Sequence, residues 1–170
     1  MTARGTLLLV TAVLVLGGCG ASHVQGATMP YSSSPDAWNV DVLPDPCRVA
    51  TPAELSRVLG APVGTGSRLK SWPPLCRFVL DGPSETSVYL SDNSQPSGRT
   101  DFDSRANGTT TPVTGVGDRA YWQADTTTLH VLSGPTHVVI TFRGPKTPAG
   151  AEAKAAALAV LILPRTGPSP

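Results

Sequence analysis

Leu129-His130-Val131-Leu132 and His137-Val138-Val139-Ile140-Thr141-Phe142 flank a short segment containing Gly134-Pro135. Read as a hairpin turning on those two residues, they place Leu129, Val131, Val138, Ile140 and Phe142 on one face. No other stretch carries so clear a strand signal. It calls for an antiparallel sheet with one face against a core, although other turn lengths would shift the register. Only nine of the 170 residues are Phe, Trp or Tyr, so Val, Leu and Ala must fill that core.

Further strands are expected at Val63 to Leu69, Cys76 to Leu80 and Thr86 to Leu90, with a turn at Asp81 to Glu85. Val113 to Trp122 reads as extended, interrupted at Gly115-Val116-Gly117-Asp118. Thr51-Pro52-Ala53-Glu54 is a helix start, with Thr51 capping, Pro52 in the first turn and Glu54 reaching back. Gly60 ends that helix. A weak helix is expected over Arg99 to Ala106, with Phe102 and Ala106 as its apolar contacts, after a loop from Asp92 to Gly98. The last helix runs from Ala149 to Leu163, with Ala151, Ala155, Leu158 and Ile162 as its apolar stripe and Pro164 as its stop. Two or three helices packed on an antiparallel sheet make an α+β domain over 45–164, followed by a disordered tail at 165–170.

The front of the chain reads differently. Arg4 precedes an apolar run from Leu7 to Leu16, and Leu16-Gly17-Gly18-Cys19 follows. About ten apolar residues are too few to cross a bilayer, and the layout is that of a secretory signal over 1–18. The four residues resemble the lipobox of bacterial lipoproteins. That resemblance implies cleavage between Gly18 and Cys19 and a lipid on the Cys19 sulfur, with a further acyl chain on its amine. Two chains hold a protein at a membrane where one does not. An ordinary cleaved signal would instead leave a free thiol at the new terminus. Residues 19–44, rich in Gly, Ser and Pro, read as a flexible tether beginning at the lipidated Cys19.

With Cys19 lipidated, Cys47 and Cys76 remain as a pair on the oxidising side of a membrane, and a disulfide is the simplest account. A metal site is the weaker one, because no further Cys or His stands near either at zinc spacing. Without Arg4 the chain has 12 basic and 12 acidic residues, and no block of like charge. That excludes the basic footprint of a nucleic-acid partner.

No catalytic motif emerges. Gly115 to Ala120 fits a dinucleotide-binding pattern on paper, but Tyr121-Trp122 follows where a helix is needed, so it reads as a turn. His130 and His137 would be diagonal neighbours on one sheet face. Two such residues could begin a metal site, yet a third ligand is missing locally and His23 lies in the tether, so they read as solvent-facing. Asp101 and Asp103 read as solvated carboxylates. The nucleophile elbow of a serine hydrolase does not occur. Asn107-Gly108-Thr109 is a glycosylation acceptor only in a eukaryotic secretory pathway. Trp72, Tyr89, Tyr121 and Trp122 either line a groove or fill the core. No cofactor is implied.

Taken together, the lipobox, Asp45-Pro46-Cys47, Thr51 to Leu55, Cys76 ahead of a strand, Gly115 to Ala120 and the Ala-rich last helix resemble a family of small actinobacterial, mycobacterial-type envelope lipoproteins. These proteins carry a domain of unknown function. The second Cys in that family often has Trp two residues on; here the position is Phe78. The resemblance implies an extracytoplasmic protein held at the cell membrane by its lipid, and it implies no reaction. The expected function is a binding or interaction module meeting an envelope ligand or protein. An envelope hydrolase with an unrecognised site and a passive structural or antigenic surface protein stay open beside it.

Overall fold

The computed structural model describes residues 45–71, 73–81, 87–93 and 97–166. The expected signal, Cys19, the tether, Trp72, and most of the turn before β3 lie outside them. The elements are α1 (Pro52–Leu59), β1 (Ser67–Leu69), β2 (Leu75–Val79), β3 (Ser87–Asn93), α2 (Gly98–Arg105), β4 (Thr110–Pro112), β5 (Arg119–Gln123), β6 (Thr128–Ser133), β7 (Thr136–Arg143) and α3 (Ala151–Ile162). They form an α+β fold around one seven-stranded antiparallel sheet of order β1-β2-β3-β7-β6-β5-β4.

Local chemistry sets the ends of α1. Glu54 N–H donates to Thr51 Oγ1 at 3.3 Å, and Thr51 N–H donates to Glu54 Oε2 at 2.9 Å. This reciprocal pair satisfies two amides that helix geometry leaves open. Gly60 closes the helix at φ 71°, where a side chain would be strained.

The β6–β7 hairpin has the expected register: Ser133 pairs with Thr136 across Gly134-Pro135, and Leu129 with Ile140. Leu129, Val131, Val138, Ile140 and Phe142 are at most 2% exposed. They join Leu90, Phe78 and Cys76 in one core, closed by Leu55 and Leu59 of α1 and Ala155, Leu158 and Ile162 of α3. Cys47 and Cys76 are joined as a disulfide, which pins the segment before α1 to β2.

The opposite face is not open to solvent throughout. The connection from β3 to the far edge strand β4 carries α2 against β6 and β7. Phe102, Tyr121 and Leu132 form a second, smaller cluster there. The hairpin is therefore covered on both sides, which explains why its polar-side residues are buried too.

Several boundaries move. Val63 makes only a single bridge to Leu80, and the strand begins at Ser67. A Cβ on Gly66 would lie 2.5 Å from the Phe78 ring and 2.7 Å from Cys76 Sγ, so this segment runs close over the disulfide. β3 continues to Asn93, through residues expected as loop, because β7 pairs with it the whole way. Ala106 is exposed and contributes nothing to the docking of α2. Arg165 and Thr166 belong to the folded part, although 165–170 was expected as disordered tail. Arg165 donates to Glu54 Oε1 at 2.7 Å and to Val49 O at 3.1 Å, tying the end of the fold to α1.

Gly115 to Asp118 forms the expected turn, and Arg119 and Ala120 already belong to β5. Gly117 takes φ 59°, and a Cβ there would lie 2.6 Å from Leu132 O. Asp118 N–H donates to that oxygen at 2.8 Å, and Asp118 Oδ2 accepts from Gly134 N–H at 2.7 Å. The loop thus clasps the hairpin turn, and a strand rather than a helix follows it.

Candidate functional site

α2 is an unpromising helix. It has eight residues, no side-chain cap at its N-terminus, and Phe102 as its one buried large side chain. Helices this short are marginal alone. What holds it is polar chemistry supplied by the sheet.

Its last four carbonyls are all satisfied. Phe102 O accepts from the Tyr121 hydroxyl at 3.0 Å and Arg105 O from Gln123 Nε2 at 3.0 Å. Asp103 O accepts from Ala106 N–H, and Ser104 O from Asn107 Nδ2. β5 therefore provides two of the four partners that a helix C-terminus needs.

Beneath α2 runs a chain of side chains from Asp101 to Gln123. Asp101 Oδ2 lies 2.9 Å from His137 Nδ1. His137 Nε2 lies 3.0 Å from His130 Nδ1. His130 Nε2 lies 3.0 Å from Gln123 Oε1. His137 is 0% exposed and His130 3%, so neither ring faces solvent as expected. Asp101 is not a free carboxylate either. Its other oxygen accepts from Arg105 Nε at 2.9 Å. The sheet register brings the histidines together as expected, but α2 buries them.

The rings around this chain are ordered. Tyr121 stacks on His130 with centroids 4.8 Å apart, and Phe102 meets His137 edge-on at 5.5 Å. Arg119 lies over Phe102 at 5.0 Å and pairs with Asp103 at 2.9 Å. Tyr121 and Trp122 are buried, Tyr89 only partly so.

Electrostatics follow from the burial. Desolvation pushes His130 down to about 3, and the His137 charge acts in the same direction. His137 is lowered by burial too, against the pull of Asp101. Burial alone would raise Asp101, but hydrogen bonds from Arg105 and His137 leave it below the usual carboxylate range. Burial raises the Tyr121 phenol to about 12, so it stays protonated as a donor. The arrangement can hold protons and pass them along a line. All four imidazole nitrogens are engaged.

Among the described residues, no cluster of three or more His, Cys, Asp or Glu is arranged to hold a metal ion. A separate cavity of about 410 Å³ lies at the sheet end away from the Gly134-Pro135 turn. Asp125, Thr126, Thr127, Arg143, Lys146 and Thr147 line it, a mixture of charges and hydroxyls. Thr127 adopts φ 48° there, with its hydroxyl 2.6 Å from Phe142 O.

Sequence reasoning placed His130 and His137 on one face but missed Asp101 and Gln123 as their partners. The signal available was Phe102: a lone aromatic in a polar helix has to bury somewhere, and its neighbours go with it. Compared with protein-family models, with curated proteins and with solved structures, the chain matches none.

Proposed function

We propose that this chain is a lipid-anchored, extracytoplasmic lipoprotein of a bacterial cell envelope, whose folded part serves as a binding or interaction module. The observation that carries the reading is how the three cysteines divide. Cys47 and Cys76 are joined to each other. Cys19 is left over, and it stands directly behind Leu16-Gly17-Gly18. A disulfide within a small domain supports a compartment where thiols oxidise. A leftover Cys after a short apolar run supports lipid attachment, with residues 1–18 removed and 19–44 as tether. No helix among the described residues is long and apolar enough to cross a membrane.

The Asp101–His137–His130 chain does not favour the hydrolase reading. A general base needs an imidazole nitrogen facing a nucleophile, and here the outer His130 nitrogen meets the Gln123 amide. A small polar ligand would sit in the polar cavity beside Thr127.

Metabolic labelling with palmitate tests the anchor. Label is expected in the wild-type protein and absent from Cys19→Ala, with the variant released from membranes. An unlabelled wild type, or a mature form retaining residues 1–18, would overturn the reading.

A further inference from the structure

The amide of Gln123 decides how many protons lie beneath α2. Its Nε2 has two hydrogens, and both are taken, by Arg105 O and Asn107 O at 3.0 Å each. Turning the amide over would set its oxygen against those two carbonyls. Gln123 Oε1 therefore faces His130, and His130 Nε2 must carry a hydrogen to meet it. At the other end a hydrogen must lie between Asp101 Oδ2 and His137 Nδ1. The contact between the two rings needs one more. Three contacts in series require three protons, and two neutral imidazoles beside a carboxylate bring only two.

We infer that Asp101, His137 and His130 form a single buried proton-binding site, occupied by one proton more than two neutral histidines carry. With it the trio is uncharged overall. It is either an imidazolium against a carboxylate or a carboxylic acid against two neutral rings. Burial holds down the proton affinity of each ring taken singly. The three contacts count protons on the trio as a unit, in which Asp101 cancels the charge that a lone imidazolium would bring. The other groups facing the trio are accounted for. Arg105, from α2, is engaged with the outer oxygen of Asp101. Tyr121, from β5, is neutral and stacks on His130. Arg119 and Asp103 pair with each other at the rim.

The site acts as a latch on α2. With the third proton present, Asp101 and the Gln123 bonds to Arg105 O and Asn107 O tie the helix to β5, β6 and β7. Loss of that proton sets two hydrogen-bond acceptors against each other at one of the three contacts and leaves Asp101 to Arg105 alone. A fourth proton breaks the line from the other side. Rising pH thus loosens α2, and α2 is the element between the sheet and the Asn107-Gly108 connection.

Two measurements on the intact protein test this. The first is nitrogen-15 NMR of the imidazole groups at neutral pH. Either three imidazole N–H groups, or N–H on both Nε2 atoms with His137 Nδ1 accepting from a protonated Asp101, are expected. Only two protons on the trio, with His130 Nε2 bare or with the two rings meeting through unprotonated nitrogens, would overturn the inference. The second is the unfolding equilibrium between about pH 7.5 and 9, where unfolded histidines are already neutral. The native state then holds one proton more than the unfolded state, so the unfolding constant should rise about tenfold per pH unit until the site itself titrates. Asp101→Asn keeps an oxygen for His137 but removes the charge that offsets the extra proton. The slope should vanish in that variant. A flat wild-type profile, or a slope unchanged by Asp101→Asn, would overturn the inference.

Discussion

The Tyr121 hydroxyl donates to the main-chain oxygen of Phe102 at 3.0 Å, and the two rings meet at 4.9 Å between centroids. One strand residue thus supplies both a packing surface and a polar cap to a helix 19 positions earlier. Tyr121→Phe keeps the ring and removes the cap. It should destabilise the fold by about 1 kcal/mol, the usual net worth of a buried hydrogen bond. Urea denaturation checks this, and hydrogen exchange should show the loss concentrated in α2.

The Cys47–Cys76 bridge spans a sequence separation of 29 residues. Loop entropy alone assigns it about 3.6 kcal/mol, within the range of about 2–5 kcal/mol seen when native disulfides are removed from small domains. Cys47→Ser with Cys76→Ser should lower the urea midpoint accordingly. Thiol titration of the denatured, unreduced protein should find neither of these two sulfurs free.

Glu54 is held down at about 2, chiefly by its hydrogen bonds with Arg165 and Thr51. Its folded value lies below the ordinary 4.5, so its contribution is fully present above 4.5 and lost as pH falls through about 2. Glu54→Gln should therefore flatten the acid limb of the stability profile between those limits and leave the neutral limb alone. Arg165→Ala should flatten the same limb in part, because Thr51 remains.

The last helix offers an internal control. Leu158 is 0% exposed against the sheet, and Val160, two residues on, is 57% exposed. Leu158→Ala should cost about 2–5 kcal/mol through lost burial and the cavity left behind. Val160→Ala should fall within about 0.5 kcal/mol of wild type. Thermal unfolding of the two variants side by side checks both.

Gly66 has no room for a side chain, since its position lies against Phe78 and the disulfide sulfur. Gly66→Ala should cost roughly 1–3 kcal/mol, the range for overpacking a core. A crystal structure of the variant should show β1 displaced from the Phe78 ring.

Much of the framework was legible because it rests on neighbours in the chain. Thr51, Pro52, Glu54 and Gly60 define α1 through contacts within a turn or two. Leu129 to Phe142 announces its hairpin by alternation, and Ala151 to Ile162 its helix by an apolar stripe. The misreadings concern residues whose role depends on distant partners. Asp92 and Asn93 look like loop, yet β7 pairs with them and draws them into β3. Arg165 looks like tail, yet it finds Glu54 111 positions away. His130, His137 and Asp101 look solvated, and each is polar with no local partner to reveal it.

Local spacing of apolar, capping and turn residues was enough to specify an α+β fold and its strongest hairpin, because those features follow from short-range sterics and from which face must leave water. The pairing of Cys47 with Cys76 came from counting the cysteines once Cys19 was assigned to lipid. The chain of contacts from Asp101 through His137 and His130 to Gln123 came only from folding. It exists because a strand order that puts β4 at the far edge sends α2 across β7 and β6, and that crossing removes water from His130 and His137 while setting the half-buried Asp101 against them. Hydrophobic pattern records which residues leave solvent on their own account, and it does not record which polar residues are carried inside by the element laid over them.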